Sequence, residues 1–123
     1  MRASRRALYG ILTTAVLAIA CTDAGPRISI PTDRVPRFTP LEFQGTGFTP
    51  NRNVSSHLVR SDGSEFPVLP LLTDEDGAFT HTIDTMILEL GFHELWVVDD
   101  ATGKASNRLR FDITFDYSDQ SRR

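Results

Sequence analysis

Two short acidic turns carry the residues best suited to binding a cation. Their carboxylates belong to Asp74, Asp76, Asp99 and Asp100. Carboxylate oxygens are ligands that Ca²⁺ prefers, so each turn is a candidate calcium site. Neither turn is followed by the further oxygen ligands and the late glutamate of the twelve-residue calcium loop. We therefore expect solvated turn residues, with calcium as the alternative, and the two turns lie at the same end or at opposite ends of the fold.

Three histidines, His57, His81 and His93, are the candidate zinc ligands. Zinc requires ligands that converge on one point, and nothing in this spacing enforces convergence. We expect His81 and His93 to be half-buried strand residues and His57 to lie on a surface. Ser56 adjoins His57, but neighbouring residues of a strand point to opposite faces and cannot pair as nucleophile and base. The sequence therefore predicts no enzyme and no cofactor.

The only cysteine, Cys21, follows a basic head and a short apolar run. Three arginines precede residues 7–20, which are almost entirely apolar. That run is shorter than the roughly 20 residues a membrane-spanning helix needs. It ends in Ala18-Ile19-Ala20, the small-x-small pattern of a signal peptidase site. We predict a signal peptide over residues 1–20.

This segment resembles the signal peptides of bacterial lipoproteins, in which the cysteine after the cleavage site is lipidated and becomes the new N-terminus. The resemblance implies a lipid on Cys21 that anchors the protein in a bacterial cell envelope. The family usually has leucine three residues before the cysteine, where this chain has Ala18, with Leu17 one position earlier. Cleavage after Ala20 and release as a soluble secreted protein is the alternative. Residues 4–8 also resemble a twin-arginine export signal, so two export routes remain open.

The length and net charge of the mature chain limit its number of domains and its class of partner. Cleavage after residue 20 leaves 103 residues, which suits one domain with one core. Three of the 13 basic residues and none of the 16 acidic ones are removed, so the formal net charge moves from −3 to −6. Nucleic-acid binding needs clustered Lys and Arg, and the acidic balance argues against it. A single cysteine excludes an internal disulfide, so packing alone must hold the fold.

The remaining pattern predicts an all-β domain. Residues 21–37 contain three of the seven prolines and are predicted to form an extended tether, with at most one edge strand at 28–30. From 38 to 116, short alternating runs are separated by turns, and only 85–90 could form a helical turn. We predict an antiparallel two-sheet β-sandwich of about seven strands, followed by a polar tail at 117–123.

One face of the predicted sandwich carries a candidate interface. Trp96 and Val98 alternate with residues that we expect to be buried, so they lie on the outer face of a sheet. Tryptophan is enriched at interfaces, which predicts a protein or glycan partner on this face. The candidate interface residues are Trp96, Val98, Arg108 and Arg110. The alternative is that Arg108 or Arg110 merely covers the indole ring.

Four motifs together resemble bacterial extracellular immunoglobulin-like domains. They are GTGFTPNRNV at 45–54, DG at 62–63, TDEDGAFT at 73–80 and LGFHELWVVDDATGKASNRLRF at 90–111. The resemblance covers about 80 residues, 36–115, and implies an immunoglobulin-like β-sandwich. Such domains serve as spacers, adhesion units and assembly modules. His93 occupies a position where they more often have a tyrosine that bonds back to the preceding loop.

These features predict a non-enzymatic envelope lipoprotein that presents an immunoglobulin-like module to an envelope protein or glycan. Its contact with the membrane is through the lipid. The alternative is a structural subunit of a surface assembly or filament, in which an edge strand such as 28–30 pairs with a neighbouring copy.

Overall fold

The computed structural model describes residues 25–115, which contain eight β-strands and one 3-10 turn. The strands are β1 Arg27–Ser29, β2 Arg34–Pro36, β3 Leu41–Thr46, β4 Asn53–Val59, β5 Leu69–Leu72, β6 Phe79–Ile83, β7 Gly91–Asp99 and β8 Leu109–Thr114. The 3-10 turn is Thr85–Ile87, within the segment predicted to be helical. None of the helical structure in residues 25–115 is long and apolar enough to cross a membrane. The predicted signal peptide, Cys21 and the polar tail lie outside the described residues.

The strands form two sheets that pack face to face as a β-sandwich, which confirms the predicted all-β, two-sheet fold, with eight strands where about seven were expected. One sheet has the order β1-β3-β6, and the other has the order β2-β8-β7-β4-β5. Neighbouring strands are antiparallel except β2 and β8, which run parallel. β5 lies at a sheet edge, as Pro67 and Pro70 predict for the segment 66–73.

Alternation of apolar and polar residues determines which face of each strand is buried. In β3, the inward residues Leu41 and Phe43 are buried, whereas Glu42 and Gln44 between them are exposed. β7 and β8 follow the same period of two. The buried apolar core consists of Ile28, Val35, Leu41, Phe43, Phe48, Val54, Phe79, Ile83, Leu88, Leu95, Val97, Phe111 and Ile113.

The predicted tether of residues 21–37 is wrong from residue 27 onward, because residues 27–36 belong to the sandwich. β1 corresponds to the edge strand predicted at 28–30, whereas β2 was not predicted. β1 pairs with β3, and β2 pairs with β8, so this segment contributes one strand to each sheet. Ile28 and Val35 are only 4% and 2% exposed and pack into the core. The domain therefore begins well before residue 38. The burial of these two side chains outweighs the tendency of the neighbouring prolines to interrupt strands.

Asn107 fixes β1 from the side that no strand occupies. The Ile28 backbone N–H donates to Asn107 Oδ1 at 2.8 Å, and Asn107 Nδ2 donates to the Ile28 carbonyl at 3.0 Å. The amide side chain thus pairs with both backbone groups of Ile28, as a neighbouring strand would. This bond pair links the start of the domain to the segment that leads into β8.

Asp99, at the end of β7, is a buried carboxylate that holds the crossover between the two sheets. It is 2% exposed, and its Oδ2 accepts hydrogen bonds from the Thr49 N–H and hydroxyl, both at 2.9 Å. Its Oδ1 accepts a hydrogen bond from the Ala101 N–H at 3.2 Å. Burial raises the pKa of Asp99, but the hydrogen bonds from Thr49, Ala101 and Thr102 outweigh it and hold the pKa below its usual value.

Replacing Asp99 by alanine is expected to lower the free energy of unfolding by about 2–4 kcal/mol at pH 7, because the buried carboxylate and its three part-buried hydrogen bonds from Thr49 and Ala101 are lost together. The pKa of Asp99 is lower in the folded chain than the value of about 3.9 expected in the unfolded chain. The charged carboxylate therefore stabilises the fold above about pH 4, and this contribution is lost as the pH falls through the folded pKa. Urea unfolding at a series of pH values measures both effects.

The matched control is Asp100→Ala, which removes an exposed carboxylate that accepts one hydrogen bond from Ser55. We expect it to change the free energy of unfolding by less than about 1 kcal/mol. Two results would contradict this role of Asp99. One is an equal loss of unfolding free energy in Asp99→Ala and Asp100→Ala, and the other is a difference in unfolding free energy between wild type and Asp99→Ala that does not decrease at acidic pH.

Candidate interaction surfaces

Trp96 lies on the outer face of β7, as predicted, but both faces of its ring are covered. The His57 ring on β4 stacks parallel to the indole with centroids 5.1 Å apart and planes 2° from parallel. The guanidinium of Arg108, the residue before β8, lies 3.8 Å from the indole centroid. Because β4 and β8 flank β7, His57 and Arg108 approach the ring from opposite sides. Arg108 therefore covers the indole ring, which is the alternative that the sequence left open for this face.

The other predicted interface residues have different surroundings. Arg108 also donates to Glu94 Oε1 at 2.6 Å, and this ion pair holds the guanidinium above the sheet. Arg110 does not reach Trp96 but lies 4.1 Å from the centroid of the Phe92 ring. Val98 is half-buried opposite Ser55 of β4. On this face Trp96 is covered on both sides of its ring, whereas Phe92 remains 46% exposed beside Arg110, and contact of the face with a partner stays a prediction.

The two acidic turns lie at the same end of the sandwich, which we call the acidic end. Between them runs the crossover 47–52. Its Asn51 N–H donates to the Asp74 carbonyl at 3.0 Å, and its Phe48 N–H donates to the Gly77 carbonyl at 3.2 Å. Thr49 reaches Asp99, in the other turn.

Three of the four candidate calcium ligands, Asp74, Asp99 and Asp100, accept hydrogen bonds within this end, whereas Asp76 is exposed and contributes its backbone N–H. Asp74 Oδ1 accepts hydrogen bonds from the N–H groups of Ala78 and Asp76 at 2.9 and 2.8 Å, and these two bonds lower the pKa of Asp74. Asp99 is buried as described above, and Asp100 accepts a hydrogen bond from the Ser55 hydroxyl. Within residues 25–115, no three His, Cys, Asp or Glu side chains are grouped so that they could hold a metal ion.

The three histidines point to different parts of the molecule. His57 faces outward on β4, and His93 faces inward on the neighbouring β7, where it is 2% exposed rather than half-buried as expected. His81 lies in the other sheet, edge-on to Phe43. Ser56 is buried whereas His57 faces outward, which confirms that these neighbours point to opposite faces.

His93 makes a local version of the bond expected of a corner tyrosine. Its Nδ1 lies 3.1 Å from the Gly91 carbonyl oxygen, and because a carbonyl only accepts, Nδ1 carries the proton. The ring also stacks on Phe111 with centroids 5.6 Å apart. The side chain therefore bonds back to the start of its own strand and fills the core.

An apolar groove between β5 and β6 was not predicted from the sequence. It has a volume of about 400 Å³. Its apolar walls include Leu58, Phe66, Pro67, Leu69, Ile83 and Ile87. β5 and β6 are edge strands of opposite sheets, so the groove runs along an open side of the sandwich. In the sequence, only the apolar residues of β5 could have indicated the groove. They do not indicate it until the strand order shows that β5 and β6 are edge strands of different sheets.

Four exposed apolar side chains collect at the end of the sandwich opposite the acidic end, which we call the apolar end. They are Phe38, Met86, Leu90 and Phe115, between 45% and 61% exposed. Two hydrogen bonds tie together the segments that carry Phe38, Met86 and Phe115, and Leu90 directly precedes β7 at the same end. Arg37 N–H donates to the Thr114 carbonyl at 2.8 Å, and the Thr85 hydroxyl donates to the Thr39 carbonyl at 2.7 Å.

Removing the guanidinium with Arg108→Ala is expected to expose one face of Trp96, the only tryptophan of the chain. The fluorescence emission maximum should move to longer wavelength, and acrylamide should quench the emission more strongly. Because the contact lies at the surface, the free energy of unfolding should fall by only about 1 kcal/mol or less.

Arg110→Ala is the matched control, because it removes the same group from Phe92 instead. We expect its tryptophan emission to equal that of the wild type. An unchanged emission spectrum in Arg108→Ala would show that the guanidinium does not cover the indole.

No family model and no curated protein matches the chain. Among solved structures, macromomycin is similar with a TM-score of 0.52 at 9% identity, covering 73% of this chain and all of that one. A CARDB domain from Pyrococcus furiosus, solved in complex with di-metal ions, gives 0.46 at 10% identity and covers 75% and 93% of the two chains. The PKD domain of a peptidase from a Thermoplasmatales archaeon gives 0.38 at 19% identity, with the same coverage. At such identities, the likeness to macromomycin shows a shared β-sandwich fold alone.

Proposed function

We propose that the protein is a non-enzymatic interaction module, held on a bacterial cell envelope by a lipid on Cys21, which presents its apolar end to an envelope protein. The observation that carries this proposal is the position of the apolar end relative to the start of the domain. β1 begins at the acidic end, where Arg27 pairs with Thr46 at the end of β3. A Cβ on Gly47 would lie 2.2 Å from the Gly25 carbonyl oxygen, so Gly25 lies at this end as well.

The short link between the lipid and the domain would orient the domain relative to the membrane. Three residues, 22–24, lie between Cys21 and Gly25, and the four peptide units from Cys21 to Gly25 span at most about 14 Å when fully extended. β7 has nine residues and runs between the two ends, which corresponds to about 30 Å. A lipid on Cys21 would therefore keep the acidic end beside the membrane and hold the apolar end away from it.

The chemistry of the apolar end suits a protein partner better than a glycan. Phenylalanine and methionine are enriched at the centres of protein interfaces, and their side chains offer no hydroxyl or amide to a sugar. Arg37 stacks on Phe38 at 5.2 Å and supplies a charged group at the rim. An apolar centre with a charged rim is the usual anatomy of a protein–protein contact.

The alternative function, a structural subunit joined by strand pairing, gains support from one observation. The edge predicted to pair, 28–30, is already bonded to Asn107 and offers little to a neighbour. β6, however, is an edge strand that no described strand covers. A homotypic assembly would therefore use a different edge from the predicted one.

Replacing Cys21 by alanine tests the anchor. The wild-type protein is expected to begin at residue 21 with added acyl mass and to partition into detergent, whereas Cys21→Ala should lack the added mass and stay in the aqueous phase. Intact-mass spectrometry and detergent partitioning measure both. A wild-type protein with an unmodified cysteine, equally aqueous in both forms, would remove the anchor from the proposal.

A photo-crosslinking residue at Met86 tests the apolar end, with the same residue at Lys104 as the control. Met86 is 61% exposed at the apolar end, and Lys104 is exposed beside the acidic turns. Crosslinking in bacteria that express the lipidated chain should give one discrete envelope-protein adduct from position 86 and none from position 104. Equal adduct patterns from both positions, or no adduct from 86, would contradict the proposed surface.

A further inference from the structure

We infer that β6 is the pairing edge of a homodimer, in which two copies of this chain join β6 to β6 in antiparallel orientation. This edge lies along the side of the sandwich, so the pairing uses neither a lipid on Cys21 nor the residues of the apolar end. Among the described residues the two sheets have four edge strands, which are β1, β6, β2 and β5. An edge strand exposes unpaired backbone groups, and proteins protect such edges with short strands, prolines, charges or a covering group.

Three of the four edges carry such protection. β1 has three residues, and both backbone groups of Ile28 are bonded to Asn107. β2 also has three residues and ends in Pro36. β5 contains Pro70. β6 has five residues, Phe-Thr-His-Thr-Ile, with no proline, lysine or arginine, and it is therefore the edge most open to a further strand.

The sequence of β6 is chemically symmetrical about its centre. An antiparallel pair centred on His81 places Phe79 opposite Ile83 of the second copy, and Thr80 opposite Thr82 of the second copy. Aromatic with β-branched pairs and threonine with threonine pairs are among the cross-strand pairs that stabilise sheets. Each pair occurs twice, because a two-fold axis through His81 repeats it. This self-complementarity selects a second copy of the chain over an unrelated peptide.

The groove beside β6 provides the apolar contact that two paired strands alone would lack. Phe79 and Ile83 are buried, whereas Thr80 and Thr82 face solvent on the outer side of the sheet. The groove opens between β6 and β5, and its wall residues Leu69 and Ile87 are 41% and 63% exposed. A strand added to β6 would lie across this opening and remove apolar surface from water. The dimer would join the two three-stranded sheets into one sheet of six strands.

The test uses the full chain carrying Cys21→Ala in mild detergent, so that no lipid contributes to association. Sedimentation over a hundredfold range of protein concentration is expected to show a monomer that converts to a dimer. The double variant Thr80→Lys and Thr82→Lys places lysine opposite lysine in both outer pairs and should weaken the dimer at least tenfold. Leu72→Lys, at the proline-protected edge, is the control and should leave the dimer unchanged.

A charge-matched partner separates this pairing from a loss of folding. Mixing the double lysine variant with a Thr80→Glu and Thr82→Glu variant should restore a dimer that contains one of each chain, because every outer pair then joins opposite charges. If the lysine variant does not fold, amide hydrogen exchange of the Cys21→Ala chain tests the pairing instead. Protection of the backbone amides in 79–83 should increase with protein concentration, because dimerisation would bond them to the second copy. A chain that stays monomeric throughout the range, or a dimer that the lysine pair does not weaken, would overturn the inference. Failure here leaves the crosslinking result at Met86 unaffected.

Discussion

The sandwich depends on how the chain crosses from the smaller sheet to the larger one between β3 and β4. Within residues 25–115 no strand pairs with the crossover 47–52, so its backbone groups need acceptors and donors from turns and side chains. Asp99 accepts from Thr49, and the buried Thr73 hydroxyl donates to the Thr49 carbonyl at 2.6 Å while accepting from the Arg52 N–H at 3.1 Å. The acidic turns thus serve the crossover, which explains why their carboxylates turn toward backbone groups of the same chain and do not gather around one point.

The sequence was sufficient to predict a strand and its buried face where the strand is long enough to show its own alternation of apolar and polar residues. β7 and β8 have enough residues to display a period of two, so their buried faces and the outward position of Trp96 could be predicted. β1 and β2 have three residues each, with a single buried side chain, and prolines stand nearby. β1 is placed in the fold by pairing with β3, and β2 by pairing with β8, which is distant in the chain. No local sequence pattern indicates either pairing.

The surfaces were harder to predict than the core for the same reason. The cover over Trp96 comes from His57 on β4 and from Arg108, the residue before β8, so it follows from the register of three strands. The groove exists because β5 and β6, which are consecutive in the chain, end up as edges of opposite sheets. The apolar end likewise joins residues as far apart as Phe38 and Phe115. None of these contacts is visible before the topology is known.

The anchor and the dimer constrain each other through the direction of β6. Antiparallel pairing of β6 turns the two copies in opposite directions, so the acidic end of one copy lies beside the apolar end of the other. Each acidic end carries the start of its domain, and the starts would then be separated by about the length of the sandwich, roughly 30 Å. The four peptide units from Cys21 to Gly25 span at most about 14 Å, so two lipids could not enter one membrane surface from the same upright dimer. A lipidated chain on one membrane would therefore act as a monomer that offers its apolar end, whereas pairing through β6 belongs to an unlipidated chain or to copies on two facing surfaces.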